Sequence, residues 1–144
     1  MKLKSVLVLA AALGLAVSLP AAEVVAGPKG GRLLENITPK TEFFVTKDRK
    51  VEINFYDNAL KPVAPGAQVV AVTAEPAGRR QPLELEKTAT GLVSKAALPH
   101  GEPYRVVVQV REKPDARPQN FRVNLNLEEC AECTNAEYAC TCGH

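Results

Sequence analysis

Val51-Glu52-Ile53-Asn54-Phe55-Tyr56 sets apolar side chains at every second position, with polar or amphipathic ones between them. A period of two is the signature of a β-strand that buries one face and wets the other. The same pattern recurs downstream. Val106, Val108 and Val110 alternate with Arg105, Gln109 and Arg111, although Val107 interrupts the polar face. Phe121, Val123, Leu125 and Leu127 alternate with Arg122, Asn124, Asn126 and Glu128. Shorter examples are Val70 with Val72, and Leu83 with Leu85 set between Glu84 and Glu86. No stretch sustains a helical period, and helix is expected only as a turn around Asn135-Ala136-Glu137.

The breaks between these runs carry turn chemistry: Asp57-Asn58, Pro65-Gly66, Pro76-Ala77-Gly78, Thr90-Gly91, Pro99-His100-Gly101 and Pro114-Asp115. About seven short strands so separated predict an all-β fold, an immunoglobulin-like or related antiparallel β-sandwich, over residues 27–128. No Cys-Trp-Cys pin supports it, because Trp is absent and every cysteine lies near the end of the chain. Tyr104, opening a strand just after a Pro-rich loop, is either a corner tyrosine tying that loop down or an ordinary half-buried strand residue.

The N-terminus reads as a secretory signal. Lys2 and Lys4 precede an apolar run over residues 6–19, and Pro20-Ala21-Ala22 ends it. The run is shorter than the roughly 20 residues a spanning helix needs. Cleavage after Ala22, or as late as Ala26, is expected to leave a periplasmic or secreted protein with no membrane segment. The formal charge of +2 loses Lys2 and Lys4 in the process and comes close to neutral. The remaining Lys and Arg are scattered through the body, which argues against nucleic acid as a partner.

Residues 129–144 form an acidic tail with the strongest chemical signal. Cys130-x-x-Cys133 is followed by Cys140-x-Cys142, and His144 is the last residue. Thiolates at these spacings can converge on one soft ion, the first pair as a knuckle and the second closing a tetrahedron. Zinc and copper(I) accept such ligands, whereas Mg²⁺ and Ca²⁺ do not. His144 is a secondary donor in this scheme. The alternative is a disulfide-stapled structural or protein-interaction module, because exported proteins meet an oxidising compartment. Crossed pairs, Cys130 with Cys142 and Cys133 with Cys140, then fit bridge geometry better than the small rings closed within each pair.

A thiol oxidoreductase fits less well. Glu128, Glu129 and Glu132 disfavour a reactive thiolate, and there is no βαβ pattern. A blue-copper site needs two His, a Cys and usually Met, and Met1, the one methionine, leaves with the signal. His100 sits in the Pro-rich loop and is expected to be exposed. No nucleophile elbow, phosphate loop or histidine pair is present, so the chain reads as a binding or structural protein and not an enzyme.

The segment Gly27-Pro28-Lys29-Gly30-Gly31-Arg32-Leu33-Leu34 resembles the opening of periplasmic adaptor subunits from heavy-metal efflux systems of the resistance–nodulation–division type. Asp57-Asn58-Ala59-Leu60-Lys61-Pro62-Val63-Ala64-Pro65 is similar to a turn of the same N-terminal β domain. The likeness spans residues 27 to about 110. It implies a small β domain, a link to metal homeostasis and heavy-metal resistance, and a metal-efflux or other periplasmic protein as partner. Two departures stand out. Lys29 occupies a position where the family often carries His, and the chain ends where an adaptor would continue into its helical hairpin. The resemblance is therefore to a free-standing relative of that one domain.

Overall fold

The computed structural model describes residues 23–143, so the expected signal over residues 1–22 and the terminal His144 lie outside the described residues. Ten strands are found among them: β1 (Arg32–Leu34), β2 (Lys40–Val45), β3 (Val51–Tyr56), β4 (Pro62–Val63), β5 (Val69–Glu75), β6 (Gln81–Leu83), β7 (Leu85–Lys87), β8 (Gly91–Ser94), β9 (Tyr104–Arg111) and β10 (Gln119–Leu125). Two 3₁₀ turns accompany them, at Pro76–Gly78 and Glu137–Ala139. No helix among the described residues is long and apolar enough to cross a membrane.

The strands make two antiparallel sheets. One runs β1-β2-β3-β8-β7, with β4 added to β3; the other runs β10-β9-β5-β6. Omitting the short additions β1, β4 and β6, the orders β2-β3-β8-β7 and β10-β9-β5 correspond to the A-B-E-D and G-F-C sheets of an immunoglobulin-like sandwich. The apolar positions of the alternating runs meet between the sheets. Val51, Ile53 and Phe55 of β3, Val106 and Val108 of β9, and Val123 and Leu125 of β10 are all fully buried.

The run from Leu83 to Leu85 is not one strand in one sheet. β6 pairs with β5, whereas β7, beginning two residues later, pairs with β8. The chain crosses between sheets at Glu84, whose backbone carbonyl accepts from Lys95 N–H at 2.9 Å and whose carboxylate pairs with the Lys95 ammonium. Counted as one switched strand, β6 and β7 bring the principal strands to the expected seven.

The corner reading of Tyr104 is the one the structure adopts. Tyr104 opens β9, is buried, and donates its hydroxyl to the carbonyl of Pro99 at 2.7 Å. Burial pushes its pKa up to about 12, which keeps the donor proton in place. Arg49 supports the same loop, donating to the carbonyls of Leu98 and Pro99 and pairing with Glu102. His100, at the tip, is exposed as expected.

The outer face of β2 and β3 differs from the expectation of a wetted surface. Glu42, Asn54 and Tyr56 all lie there and all are buried. Their cover is the Gly-rich segment, which folds back as a tight hairpin: Leu33 N–H bonds Val25 O, and Gly27 N–H bonds Gly31 O. Its turn aims the N–H groups of Lys29 and Gly31 at the Glu42 carboxylate, at 3.1 and 2.8 Å. The Tyr56 hydroxyl supplies a third donor at 2.5 Å. A buried carboxylate is tolerated only when its lone pairs are met in this way. The glycines follow from the same geometry. A Cβ on Gly27 would lie 2.3 Å from the Glu42 carboxyl carbon, and one on Gly31 would lie 2.4 Å from the Phe43 carbonyl oxygen. Lys29, where the resemblance would often place a histidine, instead reaches Glu52 at 2.5 Å and lies over the Phe44 ring.

Candidate metal centre

After β10 the chain turns back on itself. Glu129 bridges Ala136, Cys130 N–H donates to Asn135 O at 2.9 Å, and Glu137 N–H donates to Glu128 O at 2.8 Å. Residues 131–134 form the tip of this miniature hairpin. The first cysteine pair therefore brackets a knuckle, as its spacing suggested. The turn Glu137–Ala139, close to the single helical turn expected at residues 135–137, then reverses the chain. Cys140 and Cys142 are thereby carried back toward Cys130.

What holds this loop on the sandwich is apolar. Tyr138 and Ala139 are buried members of the main core, at 4% and 0% exposure. The Tyr138 ring meets Phe43 edge to face, with centroids 5.6 Å apart and planes at 84°. Its hydroxyl accepts from Val45 N–H at 3.0 Å at the end of β2, and its own N–H donates to Asn126 O at 3.1 Å. Burial pushes its pKa up to about 12. Glu128, Glu129 and Glu132 are exposed, and Glu137 is half-buried. The Gly-rich hairpin abuts the same loop: a Cβ on Gly30, whose φ is +82°, would lie 3.2 Å from Asn135 Oδ1.

The four cysteine sulfurs converge. All lie within 4.8 Å of one another, with Cys130 buried and Cys133, Cys140 and Cys142 half-buried. Cys130 Sγ is 3.0 Å from Cys140 Sγ and 3.9 Å from Cys142 Sγ, and Cys133 Sγ is 3.8 Å from Cys140 Sγ. None is bonded to another. Sulfurs placed about 2.3 Å from a tetrahedral zinc lie about 3.8 Å apart, so two of these separations already match such a site. The arrangement can hold a soft metal ion.

Local hydrogen bonding suits the thiolate form at one position. Contact with the Cys140 thiol, reinforced by backbone N–H groups of Glu132 and Cys133, brings Cys130 down to about 7. Cys142 moves the other way, raised by burial and by the neighbouring sulfurs, and Cys140 is raised by its hydrogen bond to Cys130. Cys130 is thus favoured as a thiolate while Cys140 and Cys142 are held as thiols, and a bound cation would offset the charge of further thiolates. Cys142 N–H also donates to Cys140 Sγ at 3.4 Å.

Of the five candidate ligands, the structure brings Cys130, Cys133, Cys140 and Cys142 together; His144 lies outside the described residues. Tyr138, which positions the second pair, was not singled out by sequence reasoning. Its signal was available: it is the lone aromatic of an otherwise small and acidic tail, two residues before Cys140. The chain matches no protein-family profile, no curated protein and no solved structure.

Proposed function

We propose that this is an exported β-sandwich protein that binds one zinc or copper(I) ion through Cys130, Cys133, Cys140 and Cys142 and serves metal homeostasis. The observation that carries the reading is the convergence of four unbonded sulfurs within 4.8 Å. The ligands come from both sides of the core-anchored turn at Tyr138, so an ion there ties the two arms of the loop together and closes it over the end of the sandwich. Soft thiolate donors select zinc or copper(I) over hard cations. The efflux-adaptor resemblance of the Gly-rich hairpin supports a partner in the same compartment, and that hairpin lies beside the cysteine loop, with Gly30 next to Asn135.

Native mass spectrometry of the reduced mature protein tests this. One bound zinc or copper per chain, lost on denaturation and lost in Cys130→Ser and in Cys140→Ser, is the expected result. Full metal content in both variants would remove the thiolates from the site.

A further inference from the structure

Resting on the metal reading above, we propose that the site is redox-gated: a disulfide oxidant closes a bond between Cys130 and Cys140 and thereby releases the ion. Among Cys130–Cys140, Cys130–Cys142 and Cys133–Cys140 the first has the shortest sulfur separation, and it is not one of the crossed pairs that spacing favours. Cys130 Sγ and Cys140 Sγ stand 3.0 Å apart, against 3.9 Å for Cys130 with Cys142 and 3.8 Å for Cys133 with Cys140. A disulfide bond is about 2.05 Å long, so closure moves the two sulfurs by only about 1 Å in total. The two residues sit on opposite arms of the loop, and a bond between them avoids the small rings of Cys-x-x-Cys and Cys-x-Cys. Each arm is fixed locally by a backbone hydrogen bond, Cys130 N–H to Asn135 O in one and Cys140 N–H to Glu137 O in the other. An exported protein would meet such oxidants in its own compartment.

Exposure sets the order of events. Of this pair, Cys140 is half-buried and Cys130 is buried, so Cys140 is the one an oxidant reaches and Cys130 resolves the product. The Cys140 thiolate attacks one sulfur of a disulfide RSSR, forming a Cys140–SR mixed disulfide and expelling RS⁻. The Cys130 thiolate then attacks Cys140 Sγ, forming the internal bond and expelling the second RS⁻. Two thiolates have lost two electrons, and the oxidant has gained them as two RS⁻, which take protons from water. The ion keeps its charge but retains only Cys133 and Cys142, and it passes to any competing chelator.

The test uses the full mature chain, reduced and loaded with zinc, treated with oxidised glutathione in the presence of a colorimetric zinc indicator. Alkylation and peptide mapping then locate the bridge. One zinc released per Cys130–Cys140 bridge, with Cys133 and Cys142 alkylated and binding restored by reductant, is the expected result. Cys142→Ser should form the same bridge. Zinc retained after oxidation, or release with the crossed pairs or a Cys130–Cys133 ring, overturns the proposal while leaving the metal reading intact. A reduced chain that takes up no zinc before the oxidant is added overturns both.

Discussion

Replacing Tyr138 by alanine should undock the cysteine loop while leaving every thiol in place. The side chain is 4% exposed, packs edge to face on Phe43 and accepts a hydrogen bond from Val45 N–H. Truncating a buried aromatic to alanine costs about 3–5 kcal/mol, which already contains most of the ring-pair energy. Removing the hydroxyl alone, in Tyr138→Phe, strands a partly buried N–H and costs about 1 kcal/mol. At roughly 3–6 °C per kcal/mol for a domain of this size, the alanine variant should melt about 9–30 °C lower and the phenylalanine variant about 3–6 °C lower. Thermal unfolding followed by circular dichroism, on reduced protein with chelator, isolates the packing from any bound ion. Repeating the melts with one equivalent of zinc adds a second reading: the ion should stabilise wild type more than Tyr138→Ala, because only a docked loop couples binding to the sandwich. A Tyr138→Ala protein that melts like wild type would refute the claim that Tyr138 anchors the loop. Equal losses for Ala and Phe would show that the hydroxyl, and not the ring, does the anchoring.

Other outcomes follow from the same contacts. Gly31→Ala places a Cβ 2.4 Å from the Phe43 carbonyl oxygen and should destabilise the fold by about 2 kcal/mol or more, read as a lower urea midpoint with unchanged slope. Tyr104→Phe removes the hydroxyl that holds Pro99 and should cost about 1 kcal/mol, with faster amide exchange confined to the loop around residues 99–101. Tyr104 and Tyr138 are both raised to about 12 in the folded protein, above their ordinary value of about 10. The stability they lend is therefore complete below pH 10 and is lost as the pH climbs from about 10 to 12. An alkaline titration should show phenolate absorbance rising together with unfolding in that window, and a Tyr138→Phe protein should unfold less steeply across it.

Strand existence was legible because each principal strand has one face in the shared core, and a period of two records that directly. Val51, Ile53, Phe55, Val106, Val108, Val123 and Leu125 are all buried where alternation placed them. The opposite face of β3 was not legible. Nothing in Glu52-Asn54-Tyr56 says that a distant hairpin will fold over it, because the cause lies in Gly27 and Gly31 and in the carboxylate of Glu42. The sheet switch at Glu84 was hidden for a related reason: alternation continues through Leu83, Glu84 and Leu85 whichever sheet each residue joins. The four thiols were legible as a cluster from spacing alone. Their attachment was not, because nothing in the spacing says that Tyr138 will reach Phe43 across the sandwich. Local spacing therefore announced the cysteine cluster, and long-range packing decided where it stands.

The central claim is that four thiolates of this loop hold one soft ion. X-ray absorption at the metal edge of the reduced protein loaded with one equivalent of zinc tests it most directly. Four sulfurs at about 2.3 Å with no nitrogen or oxygen in the shell is the predicted result. A shell dominated by nitrogen and oxygen, or by fewer than three sulfurs, would contradict it.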